Sequence, residues 1–276
     1  MFRFFRQLRQ RLVNENPVDP SAQAGRLSKY LFYLFGEVFI VIVGILMALQ
    51  VDAWNTDREN RQEAQEFLKR LKGEFLANRN QLVDKINMRK EALKSARELL
   101  LIADGKTVRV TSSRVDSLLA VALPVYTFDP SLGVLNQLTS TDKLTLISSK
   151  ALNDKLSIWN SMIQDFKEDE NMYNSYNHNH FRPYLYKNYN TRNVINSRIR
   201  NRVINPILLS SPELVNTEIG FSNKHVNWEV LQSSLEFENY LAFTISWLSL
   251  INTQSQGILN YIDSVIELID GELKEE

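Results

Sequence analysis

The sequence predicts an all-α protein: a single N-terminal transmembrane helix followed by an extracytoplasmic antiparallel helical bundle with long coiled-coil-like helices. Three observations predict it. Residues 30–51, YLFYLFGEVFIVIVGILMALQV, form an almost unbroken apolar run. Residues 56–103 contain no proline and one glycine and are rich in Glu, Lys, Arg, Gln, Leu and Ala, which suits a long helix. From Val230 to Ile269, apolar or small residues return in alternating steps of three and four. No strand pattern and no internal repeat accompanies them.

The chain has 276 residues, enough for one or two domains with cores of their own. Its 32 basic and 32 acidic residues cancel, so no global field favours nucleic acid, and no nucleic-acid partner is expected. It has no cysteine, which excludes disulfides, thiolate metal sites and cysteine nucleophiles. It also has no Asn-x-Ser/Thr acceptor, which argues against a eukaryotic secreted domain.

The first 29 residues carry Arg3, Arg6, Arg9, Arg11, Arg26 and Lys29 against Glu15 and Asp19. Met1, Phe4, Phe5, Leu8 and Leu12 share one helical face and the arginines the other, the pattern of a helix lying in an anionic headgroup layer. Pro17 and Pro20 break it into a short linker. Tyr30 to Val51 is about 22 residues, roughly 33 Å as a helix, enough to cross the hydrocarbon. Tyr30 and Tyr33 stand at one end and Trp54 at the other, where aromatic belts belong; Tyr30 and Trp54 are the expected interface anchors. The basic residues all precede the span, which puts the N-terminus in the cytoplasm and everything after Trp54 outside. Val51-Asp52-Ala53 imitates a cleavage site, but the run is too long and starts too late for a signal peptide, so an uncleaved signal-anchor is expected. The domains are then 1–29, a cytoplasmic basic amphipathic segment and linker; 30–51, the transmembrane helix; and 52–276, the extracytoplasmic helical domain. The membrane is expected to be the bacterial inner membrane, the domain periplasmic.

Glu37 interrupts the apolar run about 10 Å along it from Tyr30. A carboxylate there is costly. Its side chain leans back toward the N-terminus, and Tyr33, one turn earlier, could donate to it. The bland alternative is a protonated passenger. Gly36, Gly44 and Ala48 leave room for a close neighbouring helix. Together these residues predict a contact with another transmembrane helix, from a second copy or another envelope protein.

Gly36-Glu37, Gly44-Ile45, Ala48-Leu49-Gln50 and Trp54-Asn55 resemble the hallmark of an uncharacterised family of bacterial single-pass inner-membrane proteins with a GE…GI.IALQINNWNE-like segment. Thr56 stands where that pattern has Glu, and Asp52 and Ala53 also differ. The resemblance implies an N-terminal anchor and a helical extracytoplasmic domain; it implies no activity.

Beyond the span, Ala64, Leu68, Leu71, Phe75, Asn78, Leu82, Ile86, Arg89, Leu93, Ala96 and Leu100 follow coiled-coil-like spacing, with a stutter between Leu82 and Ile86 and two polar positions in the seam. Gly105 ends this helix. The following Lys106-Thr107 imitates a phosphate loop, but Leu100 occupies the position of the required first glycine. A short helix over 113–123 ends at Pro124; a second short helix and a turn fill 128–147. Leu152, Leu156, Trp159, Ile163, Phe166 and Tyr173 mark an amphipathic helix over 149–176. The last helix starts near Val230 and closes at Gly271, its seam running Val230, Ser234, Phe237, Leu241, Thr244, Leu248, Ile251, Ser255, Ile258, Ile262, Val265 and Ile269.

His178, His180 and His225 are the only histidines. Residues two apart diverge on a helix and converge only on a strand, and no acidic partner motif accompanies them, so no metal site is expected. Arg198, Arg200 and Arg202 would share a face if extended, possible contacts for an anionic partner; a solvated loop or edge is the blander account. No phosphate cradle, nucleophile elbow or triad motif occurs. The expectation is a non-catalytic protein without cofactor: a membrane-anchored interaction or scaffold protein, oligomeric, in contact with the lipid bilayer. The alternatives are an extracytoplasmic ligand-sensing bundle that signals through a partner, because 29 residues ahead of the span are too few for an output domain, or an oligomeric pore subunit.

Overall fold

The computed structural model describes residues 21–107, 110–200, 219–224 and 226–274, and every regular element among them is helical. The amphipathic face expected at Met1–Leu12 and the linker at Pro17 and Pro20 lie outside these residues. Helix α1 runs Ser21–Ala103, and the chain divides along it into two compact units, Met1–Gln62 and Glu63–Glu276.

In the first unit, the stretch from Leu34 onward is long and apolar enough to cross a membrane. Its most apolar section has no buried residue: Phe35, Phe39, Met47 and Val51 are all more than 60% exposed. Between Leu34 and Val51 Glu37 is the only charged residue, so this stretch has no polar face suited to water.

In the second unit α1 becomes amphipathic. It packs with α4 (Lys150–Tyr176) and α8 (Leu235–Lys274) around one core. Lys72 pairs with Asp270 and Arg79 with Asp263, both at 2.6 Å, so α8 runs opposite to α1. Phe75 meets Trp159 at 5.1 Å between ring centroids and Arg89 meets Glu170, so α4 runs with α1. Trp159 also stacks on Tyr261 at 6.0 Å, tying all three helices at one level. A second core gathers Leu99, Ile102, Leu119, Leu185, Phe237 and Leu241 with their neighbours. It brings in α2 (Ser112–Ala122), α5 (Arg182–Asn188) and α6 (Thr191–Arg200).

The α1 seam is buried as spaced through Arg89, but then shifts: Ala92, Ala96, Leu99 and Ile102 are buried, while Leu93 and Leu100 are only half-buried. Ala92 still belongs to the first core, and from Ala96 onward the buried residues belong to the second, so the buried face there follows different neighbours. Gly105 closes α1 at φ 69°, its N–H on the Ile102 carbonyl and that of Lys106 on the Leu101 carbonyl, both at 3.0 Å. This is a Schellman end, which needs a residue free to adopt positive φ. Thr111 and Ser149 cap α2 and α4, each accepting from the N–H three residues on.

Two boundaries differ from expectation. The helical run beginning at Lys150 does not stop at 176: it passes through a π-helical turn, Asn177–Phe181, directly into α5. Pro183 is the reason. It has no N–H to give the carbonyl four residues back, and its ring crowds that carbonyl; a wide turn just upstream absorbs both defects without breaking the helix. At the other end, α8 begins at Leu235 rather than near Val230, because the short α7 (Glu229–Gln232) precedes it and Ser234 caps the Phe237 N–H at 3.2 Å. Val230 is correspondingly exposed, and the helix continues past Gly271 to Lys274.

From Phe237 to Ile269 every expected α8 seam residue is buried. Ile262→Asp should therefore destabilise the second unit by about 3–5 kcal/mol, whereas Gln256→Ala, on the exposed face, should stay within about 0.5 kcal/mol. Urea unfolding of the full chain, followed by the fluorescence of buried Trp159, compares them; equal tolerance would mean that α8 is not packed by this face.

Candidate functional site

Along α1, Glu74, Asn78, Gln81, Lys85 and Arg89 recur at steps of three and four and so occupy one face. That face grips the irregular segment between α2 and α3 (Gly133–Ser140). Glu74 accepts from the N–H groups of Val134 at 2.8 Å and Leu135 at 3.3 Å, and from the Ser131 hydroxyl at 3.1 Å. Leu132 caps α3 without a side-chain bond of its own, so the Glu74 carboxylate supplies the missing acceptor and the charge that a helix N-terminus favours. Asn78 donates to the Ser131 carbonyl at 2.8 Å and accepts its N–H at 2.7 Å. Gln81 accepts the Asp129 N–H at 2.9 Å.

Arg89 completes the row and is 1% exposed. Its Nε donates to the Tyr126 carbonyl at 2.8 Å, Nη1 to the Ser255 hydroxyl at 2.7 Å and Nη2 to Glu170 Oε1 at 2.5 Å. Glu170, 2% exposed, accepts the Phe128 N–H through both oxygens, at 3.1 and 3.0 Å. The guanidinium also lies 5.8 Å from the Phe166 ring centroid. Two opposite charges thus join α1, α4, α8 and the connecting segment, each further satisfied by backbone or hydroxyl groups.

Burial pushes the Glu170 carboxyl up to about 7, against the pull of Arg89 and the Phe128 N–H. Burial likewise lowers the Arg89 guanidinium, which Glu170 opposes. Lys85, 7% exposed, is pushed below the ordinary lysine range by burial, with Asp129 pulling it back.

Asn78 and Arg89 looked in the sequence like defects of an apolar seam; the structure makes them the groups that hold the 126–135 segment. Glu170 was missed. Its signal was present, since it falls between Phe166 and Tyr173 on the apolar face of α4. A carboxylate there requires a buried cation.

The intramembrane candidates lie in the first unit. Gly36, Glu37, Gly44 and Ala48 are exposed, and a Cβ added at Gly36 or Gly44 would meet no neighbour. Trp54 is exposed, and the side chains of Tyr30 and Tyr33 lie outside the described residues. Arg198 and Arg200 sit on helix α6, so the extended run that would align them is not formed there; residues two apart on a helix diverge. Arg202 and the Arg200 side chain lie outside the described residues. His178 and His180 fall in the π turn: His178 Nδ1 is 3.0 Å from the Asn174 carbonyl, and the His180 ring lies 5.2 Å from that of Tyr176. His225 is outside the described residues, among which no group of three or more His, Cys, Asp or Glu could hold a metal.

Removing one member of the pair should cost more than removing both. Glu170→Ala leaves Arg89 buried and uncompensated, a loss of about 3–5 kcal/mol; Arg89→Met with Glu170→Leu should recover part of it, less the bonds of Tyr126 and Phe128. Additive losses in urea unfolding would refute the coupling. The pH dependence has a definite sign. A carboxyl raised from 4.5 to about 7 in the folded state binds its proton more tightly folded than unfolded. Its contribution therefore favours folding at acid pH and is lost as pH rises through that window. Arg89→Met removes the cation that restrains the rise, so the carboxyl holds its proton to higher pH in the variant and the stability deficit should grow as pH rises above about 7; a deficit independent of pH there would show that Arg89 does not set the titration of Glu170.

A family model matches residues 37–176, just over half of the chain, from within the apolar stretch to the last residue of α4. The matched stretch contains Arg89, the 126–135 segment and Glu170, while Ser255 lies beyond it. No curated protein and no solved structure matches. The chain belongs to a family of unknown function, DUF6090.

Proposed function

We propose that this protein is a non-catalytic, membrane-anchored interaction or scaffold protein of the bacterial envelope, with the N-terminus in the cytoplasm, one pass through the inner membrane and the helical domain in the periplasm. The observation that carries this reading is the all-round exposure of the apolar helix, whose most apolar section has no buried residue. Apolar surface of that extent is stable in lipid or against other helices and not in water. The basic residues ahead of it support the orientation. The non-catalytic reading is supported by the use of Arg89 and Glu170, whose bonds go to each other, to two backbone groups and to Ser255.

Assembly is proposed to run through the face carrying Gly36, Glu37, Gly44 and Ala48, where small residues admit a second helix and Glu37 finds a hydrogen-bond partner in it. The chain has no cysteine, so single-cysteine cross-linking has no background. Ala48→Cys should give disulfide-linked dimers in native membranes, and Leu46→Cys, about 160° away on the helix, should give far fewer. Glu37→Leu should abolish the product while leaving insertion intact; Glu37→Gln should retain more of it, because an amide keeps a donor and an acceptor. Equal yields at both cysteines, or no effect of Glu37→Leu, would remove this face from the assembly. For orientation, exposed Ser157→Cys should react with a membrane-impermeant maleimide in spheroplasts. Reaction only after lysis would overturn the topology.

A further inference from the structure

A cleft of about 510 Å³ separates the π turn and α5 from the junction of α7 and α8. Asn179, His180, Lys187 and Asn188 line one wall, Ser234 and Glu236 the other. The spacing accounts for the first wall. Asn179 stands eight residues before Lys187 and His180 eight before Asn188, close to two helical turns, so one polar face continues from the turn into α5.

Two buried tyrosines, Tyr184 and Tyr240, also line the cleft, their ring centroids 5.3 Å apart. The Tyr184 hydroxyl donates to Ser234 Oγ at 2.6 Å, and Ser234 Oγ also accepts the Phe237 N–H, which ties α5 to the start of α8. The Tyr240 hydroxyl donates to Glu236 Oε1 at 2.9 Å and fixes that carboxylate. Asn188 Nδ2 donates to the Tyr184 carbonyl at 2.9 Å. These bonds hold the two walls in place.

The charges of the cleft are not used by these bonds. Lys187 makes no hydrogen bond and no ion pair among the described residues, and Glu236 meets no cation there. A cation and an anion thus stand on opposite walls of one concavity without meeting. A ligand of single charge would satisfy one and confront the other, and a like-charge contact is costly. A ligand carrying both charges satisfies both. The amides of Asn179 and Asn188 add donors and acceptors of the kind that pair with a peptide group.

We propose that this cleft binds a small zwitterion, an amino acid or a peptide of two or three residues, with its carboxylate at Lys187 and its ammonium at Glu236. The volume lies within the range of about 300 to 1,000 Å³ usual for ligand clefts. Three extended residues span about 10 Å, so a short peptide reaches from wall to wall and fills the space better than a single amino acid. The site belongs wholly to the second unit and does not rest on the topology or the assembly proposed above.

The test uses the full chain in amphipol, titrated calorimetrically with alanine, dialanine and trialanine. A peptide should bind tightest; if alanine does, the site stands and a free amino acid is its occupant. The tightest of the three is then compared with its N-acetyl form, which lacks the ammonium, and its C-terminal amide, which lacks the carboxylate. Each blocked form should bind at least about tenfold more weakly. Lys187→Met should weaken the unblocked compound by a similar factor and leave the amide unchanged. Glu236→Gln, which keeps an acceptor for Tyr240, should weaken the unblocked compound and leave the N-acetyl form unchanged. Both positions are exposed, so the unfolding temperature should not move. Blocked forms that bind as tightly as the parent overturn the proposal. So does a loss in Lys187→Met that the amide shares, or the absence of saturable binding of all three compounds at millimolar concentration.

Discussion

The packing of the second unit depends on one buried ion pair. Arg89 and Glu170 sit where three long helices meet a segment without regular structure, and each carries more hydrogen-bonding capacity than the other can use. The remainder goes to the Tyr126 carbonyl, the Phe128 N–H and the Ser255 hydroxyl. An isolated buried pair seldom repays its desolvation. Here the pair also satisfies backbone groups that the 126–128 segment would otherwise bury unpaired, each worth about 1–3 kcal/mol when orphaned. Glu74, Asn78 and Gln81 extend the same principle along α1: helix side chains stand in for the ladder that an irregular segment cannot make for itself. Asn193 and Asn196 on α6 do this for residues 219–222, accepting the Ser222 and Ile219 N–H groups at 2.9 and 3.2 Å.

Much of the helical content was legible because its signals are local. The apolar stretch, the α8 seam from Phe237 onward, Gly105 and Pro124 each act within about a turn, so residue type and spacing suffice. The seam of α1 was legible through Arg89 and again at Ala96, while Leu93 and Leu100 are only half-buried. From Ala96 the helix packs into the second core, and the buried face follows the new neighbours instead of the original register. Nothing within α1 records that change.

What stayed illegible is tertiary. Asn177–Phe181 and Pro183 look like the end of a helix, because a proline usually is one; packing of Phe181, Tyr184 and Leu185 into the second core keeps the run helical through a π turn. The same packing carries α6 across Arg198 and Arg200, so a charge spacing that suited an extended chain sits on a helix. Glu170 is intermediate. Its place on an apolar face was readable, its partner was not, since Arg89 lies 81 residues away.

The two stretches of α1 pose one problem under different conditions. Apolar burial is non-directional: leucines on a seam, or a cylinder of Ile, Val and Leu, tolerate many partners and registers at similar free energy. A polar group in such a setting has few acceptable positions, because a misplaced one is left without a hydrogen bond. In the second unit Asn78 and Arg89 are those groups, and the structure gives their partners. In the first unit the corresponding group is Glu37, on a helix otherwise uniform around its circumference. If lipid were its whole environment, the residue would add expense and no selectivity. Beside Gly36 and in phase with Gly44 and Ala48, it would serve the assembly proposed above by favouring one direction of approach for a second helix.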